Sequence, residues 1–193
     1  MARTENGNNI PGETGYDPFR RSQAVLPLKL KNDPMAPRPI KRSEYLVQLS
    51  RDHHVTLLFC WKIRQAIQGK IAAGRIKDYV QYFWQHHMEP HFQEEERYVF
   101  VLDDDEKVEQ ARTEHVQIRE QVERVLGASG EEALPLLSHL VNAVDNHVRF
   151  EERVLFPYLE QQLSEAQLKD IGDQFLQSPD LPDNYPDAFW KKG

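Results

Sequence analysis

Two histidine–glutamate pairs, repeated 56 residues apart, constrain this 193-residue chain more than any other feature of it. The segments are His91-x-x-x-Glu95-Glu96-Arg97-x-x-Phe100 and His147-x-x-x-Glu151-Glu152-Arg153-x-x-Phe156. In a helix, at about 100° per residue, positions four apart share a face. Around His147 that face carries Leu140, Val144, Glu151, Val154 and Tyr158, and Glu152 falls on the solvent side. Around His91 it carries Val80, Trp84, Met88, Glu95, Tyr98, Val99 and Leu102. Each pair therefore sits on an apolar stripe, where an imidazole and a carboxylate are costly to bury without partners. Any fold of this chain must turn both stripes inward and supply those partners.

The surrounding pattern says which fold can do so. Between residues 42 and 160 glycine occurs only at Gly69, Gly74, Gly127 and Gly130. Asp103-Asp104-Asp105 adds a further break, because short acidic side chains favour a turn and then a helix N-terminus. The spacing predicts helices over about 43–68, 76–102, 105–126 and 131–160, each roughly 33–45 Å long. Long helices joined by short loops pack as an antiparallel, up-down four-helix bundle, so the expected fold is all-α. Residues 43–163 form that bundle. Residues 164–193 form a short fifth helix, opened by a Ser164–Gln167 capping box, and a tail whose Phe189-Trp190 is a lid over one bundle end. Residues 1–42 hold six of the twelve prolines and read as an extended arm, unable to propagate a helix.

The two remaining bundle helices bring more imidazoles to the same interior. His115 shares its stripe with Val108, Ala111, Ile118, Val122 and Val125. In the first helix two histidines are adjacent: His53 aligns with Leu46, Leu49, Leu57 and Cys60, His54 with Val47, Ser50, Leu58 and Trp61. An acidic residue directly precedes His53 (Asp52) and His115 (Glu114), which favours His53 and leaves His54 as the alternative. The candidate metal ligands are thus His53 or His54, His91, Glu95, His115, His147 and Glu151. Imidazole and carboxylate are the donors of non-haem iron and manganese sites. Six of them with a bridging water or oxo group suit two metals better than one. His87 is at the edge of the stripe of His91, His86 and His139 face solvent, and Cys60 is a small core residue. Pro90 removes a backbone donor and predicts a kink beside the site.

Composition removes other classes. The net charge of −7 divides into +4 over residues 1–42 (eight Lys/Arg, four Asp/Glu) and −11 over the remainder (16 and 27). An acidic domain is a poor phosphate binder, which argues against nucleic acid; the basic arm suits its own acidic bundle. No apolar run approaches the roughly 20 residues of a membrane span. Met-Ala-Arg-Thr-Glu-Asn-Gly lacks the apolar core of a secretory signal, and one cysteine suits a reducing compartment, so the expected location is cytoplasmic.

Taken together, Arg51-Asp52-His53-His54, Pro90-His91-Phe92-x-x-Glu95, Glu114-His115-x-x-Ile118-Arg119 and His147-x-x-x-Glu151-Glu152-Arg153-x-Leu155-Phe156-Pro157 resemble the hemerythrin-like (HHE cation-binding) family, bacterial type, over about residues 43–163. The resemblance implies a four-helix bundle around a non-haem di-iron centre, oxo- or hydroxo-bridged, with manganese or zinc able to substitute. It also implies a protein that binds, senses or detoxifies a small ligand such as oxygen, nitric oxide or peroxide. A regulatory or iron-storage module responsive to iron or oxygen, without turnover, is the alternative. Two positions depart from the oxygen carriers. Where carriers place a second third-helix histidine, this chain has Arg119, expected to snorkel outward from the bundle edge or to charge the site's surroundings. Where carriers use an aspartate five residues after the last histidine, this chain has Glu151 at four, or Glu152 at five. One imidazole fewer favours redox reaction over reversible oxygenation. Trp84, Phe150, Leu155 and Tyr98 are the expected apolar surroundings of the ligands.

Overall fold

A computed structural model of the chain describes residues 42–175 and 182–191; the expected arm, apart from Arg42, and part of the tail lie outside them. Every regular element among the described residues is helical. Helix α1 (Val47–Gln68) buries Leu49, His53, Thr56, Phe59, Cys60, Ile63 and Ala66, the three-and-four spacing of one helix face. It stops where the Lys70 backbone turns left-handed at φ 55°, with the Ile71 N–H donating back to the Ala66 carbonyl at 3.0 Å. Helix α2 spans 73–99 and α3 is Glu106–Gly127, its first turn capped by the Asp105 carboxylate, which accepts from the Lys107 N–H at 2.9 Å. Helix α4 spans 133–162, and α5 is Glu165–Phe175, opened by the expected Ser164–Gln167 box.

α2 and α4 are not uniform. In α2, wider π turns cover Trp84–Met88 and Glu95–Val99; in α4, one covers Glu151–Leu155. In such a turn an N–H reaches five residues back, as Phe100 does to Glu95 at 3.0 Å. Two of these turns start at the glutamates of the repeat. The extra residue also slips the apolar face by one position. The stripe expected through Val154 and Tyr158 fails here: Val154 is 42% exposed and the Tyr158 hydroxyl bonds Asp105, while Leu155, Phe156 and Leu159 are buried. Pro90 and Pro157 each stand second in the α segment that follows a π turn, where a missing N–H costs little. The distortion expected at Pro90 therefore takes the form of the turn Trp84–Met88.

The long helices pack in a ring, α1 on α4, α4 on α3 and α3 on α2, through short connections, and α5 lies across the start of α1 and the end of α2. Their apolar faces form two separate cores. One joins Phe59, Ile63, Tyr79, Phe83, Ile118 and Leu140; the other joins Leu49, Val99, Ala111, Phe156, Leu159 and Phe175. Along every long helix, the histidines and glutamates of the stripes fall between these two cores. In the C-terminal segment, Asp183 receives the buried Lys62 ammonium at 2.6 Å and the Tyr79 hydroxyl, and Trp190 lies 4.1 Å from that ammonium. Phe189 packs on Tyr79, so the tail residues described here do cover one end of the bundle.

Where α5 crosses the start of α1, a methyl group on Gly172 would come within 3.0 Å of the Tyr45 Cα and 3.1 Å of its carbonyl oxygen. The backbone cannot step aside as a side-chain tip can. Gly172→Ala is expected to lower stability by about 1–3 kcal/mol, as overpacking does. Urea unfolding followed by circular dichroism measures it.

Candidate metal centre

Six of the sequence-predicted residues meet in the layer between the two cores: His53 from α1, His91 and Glu95 from α2, His115 from α3, and His147 and Glu151 from α4. All six side chains are buried. His54 does not join them. It is exposed, as are Leu58 and Trp61 on its face of α1, whereas the face of His53 packs into the core. The outward stripe of α1 is thus the one that His54 heads. His86 and His139 are exposed, and His87 stacks on Phe83 with ring centroids 4.7 Å apart, outside the layer.

The donor atoms form two overlapping sets. His53, His91, Glu95 and Glu151 offer one atom each within 4.8 Å of one another, and so do Glu95, His115, His147 and Glu151. Both glutamates belong to both sets. The imidazole Nε2 atoms all turn inward. His53 Nε2 is 3.0 Å from Glu151 Oε2, His91 Nε2 is 3.3 Å from Glu95 Oε2, and His147 Nε2 is 3.3 Å from Glu151 Oε2.

The Nδ1 atoms are held from behind by carboxylates that the helical wheel assigned to solvent or left without a role. His53 Nδ1 bonds Glu152 Oε1, His115 Nδ1 bonds Glu96 Oε1, and His147 Nδ1 bonds Glu114 Oε2, each at 2.8 Å. The fourth, His91 Nδ1, stands 4.0 Å from Asp52, one methylene shorter than the equivalent Glu114. Glu152 thus corrects the expectation that it faces water: its long side chain folds along the flank of α4 to reach α1. It also resolves the choice between carboxylates, since Glu151 enters the layer and Glu152 holds an imidazole. Arg119 does not snorkel to solvent. It bonds Glu96 at 2.8 Å and Glu89 at 3.1 Å and lies over the Phe92 ring. The rings against the imidazoles are Phe92, stacked on His115 at 3.7 Å, and Phe156, parallel to His53 at 5.4 Å; Trp84 stands behind Phe92. The adjacent Glu-Glu of each repeat and the acidic residue before His115 were the available sequence signals for the outer carboxylates. Arg42, which bonds Glu152, had none.

Charge sets the chemistry of this layer. Hydrogen bonding from His115, then from Arg119, brings the Glu96 carboxyl down to about 2. Burial works against ionising Glu152, but hydrogen bonds from His53, Arg42 and Ser50 prevail and bring it to about 2 as well. Burial takes His91 down to about 4, so it is a neutral donor. For His53 and His115 burial is outweighed by Glu151 and Glu95 and the outer carboxylates, and both sit above the usual imidazole range, His115 at about 9. Without a metal, protons are the cations that these buried carboxylates gather.

The residues present fit a metal. His53 Nε2, His91 Nε2 and all four oxygens of Glu95 and Glu151 are buried and make no hydrogen bond, although donor atoms of these residues lie within 4.8 Å of one another. His115 Nε2 and His147 Nε2 face each other at 3.0 Å. Each ring donates from Nδ1 to a carboxylate, so in the neutral form both Nε2 atoms carry lone pairs. With His115 protonated, its Nε2–H donates across that gap to His147 Nε2; once that proton is given up, both lone pairs are free for a cation.

A family model described as the hemerythrin HHE cation-binding domain matches residues 46–159. No curated protein and no solved structure matches the chain. The match covers more than half of the chain, including all six residues of the buried layer, and the chain belongs to the hemerythrin HHE cation-binding family.

Proposed function

We propose that this metal-binding domain holds two irons, one in each donor set, with Glu95 and Glu151 shared between them, and that it binds, senses or detoxifies a small ligand such as oxygen, nitric oxide or peroxide. The observation that carries this reading is the pair of four-residue sets with two carboxylates in common, each set otherwise supplying two imidazoles. Iron in such a site supplies reversible electron transfer and an affinity for diatomic ligands. Manganese or zinc suits the same donors. The chain's own part is positional: Glu152, Glu96 and Glu114 fix the imidazoles that would hold the metal, while Phe92, Phe100 and Phe156 keep water from their faces. Each set has two nitrogen donors, and Arg119 stands where a further imidazole would give the set of His115 a third, which supports redox reaction over reversible oxygenation.

A cytoplasmic location belongs to the same proposal and rests on one cysteine, Cys60, which is buried with its thiol pushed up to about 12 by burial. No helix among the described residues is long and apolar enough to cross a membrane. A second reading, a switch without turnover, draws on the position of the layer between two apolar cores. A metal there ties all four long helices together, so ligation adds directly to stability.

Iron per chain after anaerobic purification tests the first reading, with about two expected for two donor sets. His53→Ala, His91→Ala and His147→Ala should each halve or abolish loading, while His54→Ala and His139→Ala retain it. One metal per chain, or unchanged loading in the first three variants, would overturn the assignment. Loading should also expel protons, because His53 is held well above the usual imidazole range and His115 at about 9, and each must shed a proton to ligate. Ferrous titration at pH 7 in buffers of differing ionisation enthalpy should report roughly two protons released per chain. Binding should weaken as pH falls, since protons compete for the same nitrogens.

A further inference from the structure

Two arginines outside the donor sets reach the layer by the same double route. On α3, Arg119 Nη1 donates to Glu96 Oε1 at 2.8 Å, and that oxygen accepts the His115 Nδ1 proton. The same guanidinium lies 5.6 Å from the Phe92 centroid, and Phe92 stacks on the His115 ring at 3.7 Å and 8°. Ahead of α1, Arg42 Nη2 donates to Glu152 Oε2 at 2.7 Å and to the Glu152 carbonyl at 2.6 Å. Its guanidinium lies 5.2 Å from the Phe156 centroid, and Phe156 lies parallel to the His53 ring at 6°. Ser50 completes that side, its hydroxyl donating to Glu152 Oε1 at 2.7 Å. In both cases a cation fixes a carboxylate that orients the imidazole and backs an aromatic ring that covers the imidazole face.

The two arrangements are not copies in sequence. Arg119 follows His115 by four residues on the same helix, whereas Arg42 precedes His53 by eleven and lies outside α1. Nor are they equal in geometry. Arg119 shares the very oxygen that binds His115, and Glu89 takes part of its charge, at 3.1 Å. Arg42 takes the other oxygen of Glu152 and is itself buried, its side chain 6% exposed.

We propose that Arg42 and Arg119 are positioning residues for separate halves of the site: Arg42 through Glu152 and Phe156 for the set containing His53, and Arg119 through Glu96 and Phe92 for the set containing His115. This rests on the two-metal reading above. Removing an arginine frees its carboxylate to rotate or to protonate, and the imidazole loses the fixed acceptor that aligns its Nε2 and strengthens it as a donor. Each loss then falls on one cation and not on both.

The test uses the full-length protein, metal-free, as wild type, Arg42→Met, Arg119→Met, Arg42→Lys and Ser50→Ala. Anaerobic titration with Fe2+ gives stepwise affinities, and nitrogen-15 NMR of the metal-free protein follows the Nδ1–H signals of His53 and His115. Arg42→Met should weaken one of two binding steps on the order of 10–100-fold and shift or broaden the His53 signal alone. Arg119→Met should do the same to one step and to the His115 signal. Arg42→Lys, which keeps the charge but not the fork, should recover part of the loss. Ser50→Ala, which leaves the packing nearly intact, should give a smaller loss with the pattern of Arg42→Met, and decides the matter if the arginine variants fail to fold. Unchanged affinities and signals would overturn the proposal while leaving the metal reading intact. Equal loss at both steps would overturn it as well. A wild-type protein that takes up no Fe2+ would overturn the two-metal reading, and the NMR signals would still decide whether the arginines position the imidazoles.

Discussion

Two glutamates buried in the middle of the bundle, Glu95 and Glu151, with no hydrogen bond to any of their four carboxylate oxygens, are the constraint around which the remaining structure is arranged. A buried carboxylate costs several kcal/mol unless cations stand beside it, and the groups brought beside these two are the nitrogens of His53, His91, His115 and His147. Four imidazoles crowd the same space, three with their outer nitrogens tied to further carboxylates. The charge of the layer is negative inside, basic in the next ring and acidic beyond that, with arginines outermost. That alternation makes a place for cations, and it explains why the apolar core is cut into two parts at this level.

The halves of the bundle answer each other across this layer. Glu152 reaches from α4 to His53 on α1, and Glu96 reaches from α2 to His115 on α3. Glu114 serves His147 as Asp52 approaches His91, the shorter aspartate leaving a distance of 4.0 Å in place of 2.8 Å. The π turns belong to the same pairing, since one begins at Glu95 and another at Glu151. By adding a residue to the turn, each shifts the phase of the helix between one apolar core and the other. An uninterrupted helix would carry His147, Glu151 and Val154 on one face; with the π turn, Val154 is exposed and Leu155 is buried in its place.

Much of this was legible in the residues. The glycine and aspartate breaks set the helix ends within a few positions, because they act locally. The 3.6-residue stripe marked His91, Glu95, His115, His147 and Glu151, because polar groups on an otherwise apolar face stand out against it. The choice between His53 and His54 was tilted by Asp52 and made visible by burial. What escaped was of two kinds. Val154 and Tyr158 were misplaced, because a wheel of fixed pitch carries no π turn. Glu152 was misjudged, and of the two roles open to Arg119 the outward one failed and the charge beside the site held, because a long side chain on the flank of a helix goes wherever a neighbouring helix offers a partner.

The sequence by itself determined that this is an all-helical chain with four imidazoles and two carboxylates facing inward, since periodicity and burial cost act along a single helix. Only the tertiary structure decided that both glutamates belong to both donor sets, that Glu152 and Glu96 each hold an imidazole of another helix, and that Arg42 reaches the site from outside α1. Those relations are distances between helices, and no spacing along one strand of sequence encodes the side-by-side packing that creates them.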